Sequence, residues 1–370
     1  MKRISTPALI SSLGLLAIAL LLALPSVAWP LEILQQRSLQ LAADWSRDLL
    51  PLRGGGEVRT PGITFIYLLA QMVFGAQRWG IRVFELVIVL ASARTATQAA
   101  VRRKITLVEY APVAVFCTAS YFTFVDPIDS AREQTWAAIC ILAAQAVIAR
   151  DRNRRRAAMV GGLWCGSALV LQPSTALFIP LLFGQLLYLG LKDRPEPEKG
   201  PTLVEIPAAF LFGAAQPPFF FASYFFSHKA AGPFYRLVMQ VLESHGGWPP
   251  APPTWWPFVL ALALWAFALV QRLRTEGLAA SWPSGVTLLF LGCSLLAARG
   301  DSSWVLVLPA LWICAADGLV ALSALGKPGK VLPVVAAAAC AVILIALAPQ
   351  WRSDPLRSYR ARALAFYTGR

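Results

Sequence analysis

Two apolar stretches joined by a basic loop decide the fold of this chain: 132-REQTWAAICILAAQAVIARDRNRRRAAMVGGLWCGSALVL-171. As helices, residues 132–149 and 157–171 would each cross most of a hydrocarbon core about 30 Å thick. The loop between them, residues 150–156, contains five arginines. Loops rich in Arg and Lys stay on the cytoplasmic side of a membrane. The stretch therefore predicts a transmembrane hairpin whose turn lies inside.

Composition extends this prediction to the whole chain. It is 57% hydrophobic and 14% charged, with a mean hydropathy of +0.60, which excludes an ordinary soluble domain. The net charge of +14 comes from loops between apolar runs rather than from a clustered basic face. This pattern indicates contact with membrane lipids and excludes nucleic acid as a partner. We predict an all-α polytopic transmembrane bundle of about 11–12 helices, forming a single membrane domain over residues 1–370.

The candidate spans alternate with loops of different charge. They are residues 7–29, 62–76, 80–100, 105–124, 132–149, 157–171, 174–191, 203–227, 255–271, 283–298, 303–323 and 331–349. We interpret 7–29 as an uncleaved first helix. Basic clusters place 102–104, 150–156 and 192–199 inside, so that loops 30–60 and 228–254 fall outside.

One segment conflicts with this alternation. Between the outside loop that ends near residue 60 and the basic cluster at 102–104, an odd number of crossings is required, yet there are two candidate helices. Three alternatives stay open: residues 62–76 do not cross, residues 80–100 do not cross, or the cluster 102–104 lies outside.

The outside loops hold the groups capable of chemistry. Loop 30–60 has leucines spaced as in an amphipathic helix lying in the membrane interface. It carries the carboxylates Glu32, Asp44 and Asp48 and the cation Arg59. A carboxylate can deprotonate an incoming hydroxyl or amine, and an arginine can bind a departing phosphate. We predict the three acids as catalytic candidates and Arg59 as a substrate-binding residue.

Two further outside positions carry polar groups. Asp129, Arg132 and Glu133 stand at the junction of two apolar spans, where an unpaired charge is costly. Gln172 follows the span at 157–171 on the same face. We predict these four as substrate-binding residues. Together with the acids of the first loop they suit transfer of a group from a phosphorylated lipid.

The remaining polar and sulfur-containing residues are interpreted as structural. Arg82 and Glu85 have the i,i+3 spacing of an ion pair on one helix face. The six cysteines lie in or beside apolar spans and form no CxxC motif, which favours a role in helix packing. Neither histidine has a partner at metal-ligand spacing. The residues themselves therefore predict no cofactor.

The order of these features resembles the class-C glycosyltransferases, in particular the bacterial relatives of protein O-mannosyltransferases and of the aminoarabinose transferase acting on lipid A (glycosyltransferase family 39). The matching features are a first acid at Glu32, a basic Pro turn at 59–62, a Phe-Gly and Arg phrase at 74–83, a second acid at Asp129 or Glu133, a basic loop at 150–156 and a Gly-to-Pro phrase at 166–173. The resemblance covers residues 1–190 as a core and leaves 191–370 as additional helices.

The resemblance implies an enzyme of the bacterial inner membrane with its active site facing the periplasm. It would move a sugar from a polyprenyl-phosphate donor to a periplasmic acceptor (a lipid, a glycan or a protein), with inversion at the anomeric carbon. Glu32 would be the general base, and some members of the family use a divalent metal. The chain departs from the family at Thr60, which interrupts the Pro turn, and at Gln172, which replaces a lysine.

Two other functions are compatible with the sequence. A transporter or flippase for a lipid-linked substrate would carry ionisable residues within its spans, and these spans look almost free of them. A non-catalytic membrane scaffold would explain why Gln172 stands where the resembling family has a phosphate-binding lysine. The position of the polar groups at one face favours the enzyme.

Overall fold

The computed structural model describes residues 6–29, 31–47, 61–75, 77–101, 105–125, 130–192, 204–230, 255–277, 282–301 and 303–325, with a few isolated residues beyond them. These residues form twelve α-helices and include no β-strand. The helices are α1 (Thr6–Ala23), α2 (Ile33–Trp45), α3 (Pro61–Phe74), α4 (Arg78–Ala100), α5 (Leu107–Phe124), α6 (Glu133–Arg150), α7 (Arg154–Leu171), α8 (Phe178–Lys192), α9 (Glu205–Ser227), α10 (Trp256–Glu276), α11 (Trp282–Asp301) and α12 (Leu308–Ser323).

Seven of the described helices are long and apolar enough to cross a membrane. The all-α polytopic bundle predicted from the sequence is confirmed, and the chain is a multi-pass membrane protein. The predicted span 331–349 lies almost wholly outside the described residues. Polar side chains cap the N-termini of α2, α5 and α7. Helix α7, for example, begins three residues before the predicted span because the Asn153 side chain accepts a hydrogen bond from the Arg156 backbone N–H at 3.1 Å.

Helix α3 lies across one end of the bundle rather than through it. Near its start, Gly62 contacts Leu171, the last residue of α7. In its middle, the Tyr67 hydroxyl lies 3.4 Å from the carbonyl oxygen of Ala131, which immediately precedes α6. Helix α4 begins at Arg78, only four residues after α3 ends at Phe74. We call this end of the bundle, where α4 and α6 begin and α5 and α7 end, the Ser130 end, and the opposite end the Arg150 end.

This arrangement answers the question that the charge alternation left open. Both ends of α3 (Pro61–Phe74) are at the Ser130 end, so this helix does not cross the bundle, as in the first of the three alternatives. Helix α2 runs beside α3, where the Gln71 side chain donates to the Leu39 carbonyl oxygen at 2.7 Å. The predicted interfacial helix of the first loop is therefore present, and it shares this end of the bundle with a second helix.

The closest helix contact joins α7 and α9. A Cβ atom added to Gly162 would lie 2.1 Å from the carbonyl oxygen of Phe210, and one added to Gly166 would lie 2.2 Å from that of Ala214. From the other side, a Cβ atom on Gly213 would lie 2.1 Å from the Met159 carbonyl oxygen. Small residues four apart allow membrane helices to approach to backbone contact. The two backbones touch along this glycine seam.

Helix α12 is the most buried of the candidate spans. Its Trp312 indole N–H donates to the Ser120 hydroxyl of α5 at 2.8 Å, deep in the protein. Helix α12 also packs against α4, α6 and α10, so the second half of the chain shares one core with the first. The four cysteines Cys117, Cys140, Cys165 and Cys314 are buried and unbridged, as a packing role predicts.

Candidate functional site

A buried polar network occupies the Ser130 end, and Glu85 is its centre. Oε1 of Glu85 accepts from the Ala131 backbone N–H at 2.5 Å and from the Tyr121 hydroxyl, while Oε2 accepts from the Ser130 hydroxyl at 2.5 Å. Arg82, one turn earlier on α4, lies 3.7 Å from Oε2. The predicted i,i+3 pair is confirmed. Both side chains are essentially inaccessible to solvent, and the pair holds the loop before α6 against α4.

Gln35 connects this network to α2. Its Oε1 accepts from Arg82 at 2.8 Å, and its Nε2 donates to the Ser130 carbonyl oxygen at 2.6 Å. The same Oε1 accepts from the Glu32 backbone N–H at 3.0 Å. This bond is half of a reciprocal capping box in which the Glu32 side chain accepts from the Gln35 backbone N–H. The beginning of α2 is therefore fixed to the beginning of α4 and to the loop at 130–131.

The backbone at Ala131 makes the turn into α6. Its φ is +54°, in the left-handed region, which costs a non-glycine residue free energy unless the surroundings hold it there. The bond from its N–H to Glu85 and the Tyr67 contact to its carbonyl oxygen supply that support. Arg132 then takes the N-cap position of α6, and the buried Glu133 is its first residue.

The structure places the predicted site residues unevenly. Glu32, Arg132 and Glu133 lie at the Ser130 end, on segments that the Arg82–Glu85 network joins. Asp44 lies in the last turn of α2, about 18 Å along the helix from Glu32. Gln172 is the C-cap of α7, and its carbonyl oxygen accepts from the Thr175 hydroxyl at 2.6 Å. Three predicted residues lie outside the described part of the chain: Asp48, Arg59 and Asp129.

An apolar groove of about 620 Å³ begins at the Ser130 end. Helices α3, α4, α6, α7 and α9 form its walls. The groove residues nearest the Ser130 end are Gly62 at the start of α3, Leu171 at the end of α7 and Trp136 one turn into α6. Its other walls are largely aromatic and aliphatic, with Phe84, Leu163 and Phe221 among them. The Trp136 indole nitrogen is buried and has no hydrogen-bond partner among the described residues.

A second polar cluster lies near the Arg150 end. The sequence analysis did not predict it. Arg272 of α10 pairs with Asp317 of α12, and both line a cavity of about 40 Å³ with Gln145 and Gln185. The side-chain carbonyl oxygens of both glutamines are buried without a partner in the described part of the chain. The expectation that the spans are almost free of ionisable residues is wrong at Asp317, which lies within α12. The partners are 45 residues apart, and only the fold brings them together.

One ion pair outside the membrane-spanning segments is local in sequence. In the basic loop, the Arg156 guanidinium donates to Asp151 at 2.6 Å. This hydrogen bond is the main cause that lowers the pKa of the Asp151 carboxyl below its usual range. Among the described residues, no group of three or more His, Cys, Asp or Glu side chains is placed to hold a metal ion.

Comparison of the chain with protein-family profiles, with curated proteins and with solved structures finds no match in any of the three. The resemblance to class-C glycosyltransferases therefore rests on the sequence features quoted above.

Proposed function

We propose that this protein is an integral membrane glycosyltransferase of the bacterial inner membrane. It would move a sugar from a polyprenyl-phosphate donor to an acceptor at the periplasmic face. The observation that carries the proposal is the apolar groove that starts beside the polar network of the Ser130 end. A lipid-linked donor needs this combination, because its tail is apolar and its reacting phosphate is polar.

The groove suits the lipid part of such a donor. Its lining is predominantly hydrophobic, and it lies between helices at a depth where hydrocarbon is the natural neighbour. A tail in the groove would place the phosphate at the Ser130 end. There Arg132, at the start of α6, is the described candidate for binding the phosphate, and Arg59 and Gln172 are the further candidates from the sequence.

Glu32 is the proposed general base. It would take the proton from the acceptor hydroxyl or amine as that group bonds to the anomeric carbon. The bond from this carbon to the phosphate oxygen breaks, and polyprenyl phosphate leaves with the electron pair. The capping box holds the Glu32 carboxylate at the start of α2. A carboxylate has about four lone-pair sites, so one accepted hydrogen bond orients it and leaves capacity for a proton.

Glu32→Gln tests this role. Glutamine preserves the size of the side chain and can still accept the capping hydrogen bond, but it cannot take a proton at neutral pH. We expect transfer of labelled sugar from polyprenyl phosphate, measured in membranes, to fall by about 10²-fold or more. The amount of folded protein should not change, because the cap is retained.

Two further variants and one control distinguish Glu32 from the other candidate bases. If Glu32→Gln keeps full activity while Asp44→Asn or Asp48→Asn loses it, the base lies further along the first loop. Arg78→Gln, which removes an exposed charge at the start of α4, should leave transfer unchanged. If the unmodified protein transfers none of several sugars tried, the glycosyltransferase proposal fails and the scaffold function, which Gln172 favours, takes its place.

The orientation of the bundle is tested separately by reporter fusions. Positive loops stay inside, so residues 150–156 should face the cytoplasm and residues 228–254 the periplasm. A reporter that is active only after export should be active when fused at position 240 and silent at position 153. The reverse pattern would place the Ser130 end in the cytoplasm and would exclude transfer to a periplasmic acceptor.

A transporter for a lipid-linked substrate is the second candidate, and the buried Arg272–Asp317 pair favours it. Charges within spans mark many transport pathways. However, the adjoining cavity of about 40 Å³ holds only two or three waters, far less than a sugar needs. Movement of a fluorescent polyprenyl-phosphate sugar between leaflets of proteoliposomes, in the absence of any acceptor, would decide for transport.

A further inference from the structure

A basic groove of about 660 Å³ lies at the Arg150 end, on the opposite side of the protein from the proposed active site. It is formed by one face of α4, the segment leading into α5, and the end of α6. Residues Ala91, Arg94 and Gln98 recur along α4 at helical spacing and line one wall. The other wall contains Thr106 and Tyr110, and Arg150 closes the end.

The depth of the groove corresponds to the headgroup region of a bilayer. Arg94 lies six residues before the end of α4, or about 9 Å along the helix axis, and Arg150 is the last residue of α6. The interfacial layer on each side of the hydrocarbon is about 5–8 Å thick. The two guanidinium groups therefore span the range between the aqueous edge and the first carbons of the lipid tails.

The charge of the groove is positive and uncompensated. Arg94 and Arg150 are both exposed, and within the described residues neither has a carboxylate partner. The nearest acid along the chain is Asp151, which follows Arg150; its carboxylate accepts from Arg156 at 2.6 Å and does not line the groove. Glu109, which precedes Tyr110, does not line the groove either. Its Oε2 accepts from the Thr106 backbone N–H and hydroxyl, both at 2.9 Å, as the cap of α5. The Tyr110 hydroxyl likewise donates within the protein, to the Leu90 carbonyl oxygen at 3.0 Å. The groove thus offers two arginine cations and the Gln98 amide beside the apolar residues Ala91, Ile105 and Leu107.

We propose that this groove is a binding site for the headgroup of an anionic phospholipid. The two arginines would contact the phosphate, and the apolar residues of the lining would contact the glycerol and the first part of the acyl chains. Guanidinium groups form charge-assisted, often bidentate, hydrogen bonds with phosphate. Basic pockets between helices on the cytoplasmic side are suited to anionic lipid headgroups. This site is independent of the proposed glycosyltransferase activity.

The test is a binding titration on the full-length protein purified in detergent. Phosphatidylglycerol and phosphatidylcholine with the same acyl chains are added, and bound lipid is counted by native mass spectrometry. We expect a preference for phosphatidylglycerol. Each arginine near a membrane surface contributes about fivefold to binding of an anionic lipid. Arg94→Gln with Arg150→Gln should therefore lower the apparent affinity for phosphatidylglycerol by roughly 25-fold and leave that for phosphatidylcholine unchanged.

Two further variants separate a specific site from general charge. Arg155→Gln removes an exposed arginine of the same basic loop that does not line the groove, and it should change the affinity less than twofold. Arg94→Lys with Arg150→Lys should keep the preference. An equal loss in Arg155→Gln, or no loss in the double Gln variant, would overturn the proposal. So would displacement of the lipid by millimolar inorganic phosphate, because the groove would then bind a soluble phosphate.

Discussion

Replacing Glu85 with alanine is expected to lower the free energy of unfolding by about 3–5 kcal/mol. The carboxylate accepts hydrogen bonds from Ser130, Ala131 and Tyr121, and it balances the charge of Arg82. Without it, the buried charge of Arg82 loses this carboxylate, and the loop before α6 loses three hydrogen bonds that hold it or its neighbours to α4. The measurement is chemical unfolding of the purified protein in detergent, followed by tryptophan fluorescence.

Two variants on the same helix show whether burial of the charge is the cause. Arg78 is exposed and lies one turn before Arg82 on α4. Arg78→Ala should therefore change the unfolding free energy by less than about 0.5 kcal/mol. The double variant Arg82→Met with Glu85→Leu removes both charges and should cost less than Glu85→Ala alone. If the double variant were the least stable of the three, the hydrogen bonds of Glu85 and Arg82, rather than the buried charge of Arg82, would be the main contribution to stability.

Gly213→Ala is expected to destabilise the protein by about 1–3 kcal/mol, and Gly213→Val by more. The added Cβ atom would meet the Met159 backbone oxygen at 2.1 Å, and no side-chain rotation can relieve a contact with backbone. Helices α7 and α9 must then separate, and the contacts along the whole glycine seam are weakened. Thermal unfolding in detergent and the yield of monodisperse protein are the measurements.

Gly184→Ala on α8 is the matched control. It is also a helical glycine, but an added Cβ atom there meets no heavy atom within 4 Å. Alanine favours the helix by up to about 1 kcal/mol over glycine, so this variant should be neutral or slightly stabilising. A Gly213→Ala protein as stable as Gly184→Ala would mean that α7 and α9 do not touch at backbone distance.

The sequence was sufficient to predict most of the helices, because apolar length and basic loops are local properties. The hairpin of α6 and α7 and the interfacial helix α2 follow from such patterns. Helix α3 was ambiguous because its 14 largely apolar residues are compatible with both a short span and a helix lying across the end. Only its contacts with Leu171 and Ala131, both distant in sequence, distinguish the two.

The candidate site was predictable only in part. The spacing of Arg82 and Glu85 predicted their pairing, since both lie on one helix. The role of Gln35 was not predictable, because its partners on Ser130 and Arg82 are 95 and 47 residues away. The same holds for the seam: Gly162 and Gly166 have the spacing of a membrane helix contact, but their partner on α9 is fixed by the fold. Whether Glu32 acts as a base stays a prediction.

Helix α2 connects two of the helices that line the apolar groove, α4 and α9. At one end, Gln35 is bonded to Arg82 on α4; at the other, the Trp45 indole N–H donates to the Tyr224 hydroxyl of α9 at 2.7 Å. A ligand in the groove that moves α9 away from α4 must lengthen one of these two hydrogen bonds. The Trp45 tie is partly exposed and rests on a single neutral hydrogen bond and ring contacts, whereas the Gln35 tie is charge-assisted and buried. We therefore expect a wider groove to separate α2 from α9 first, while the Glu32 end of α2 stays bonded to α4.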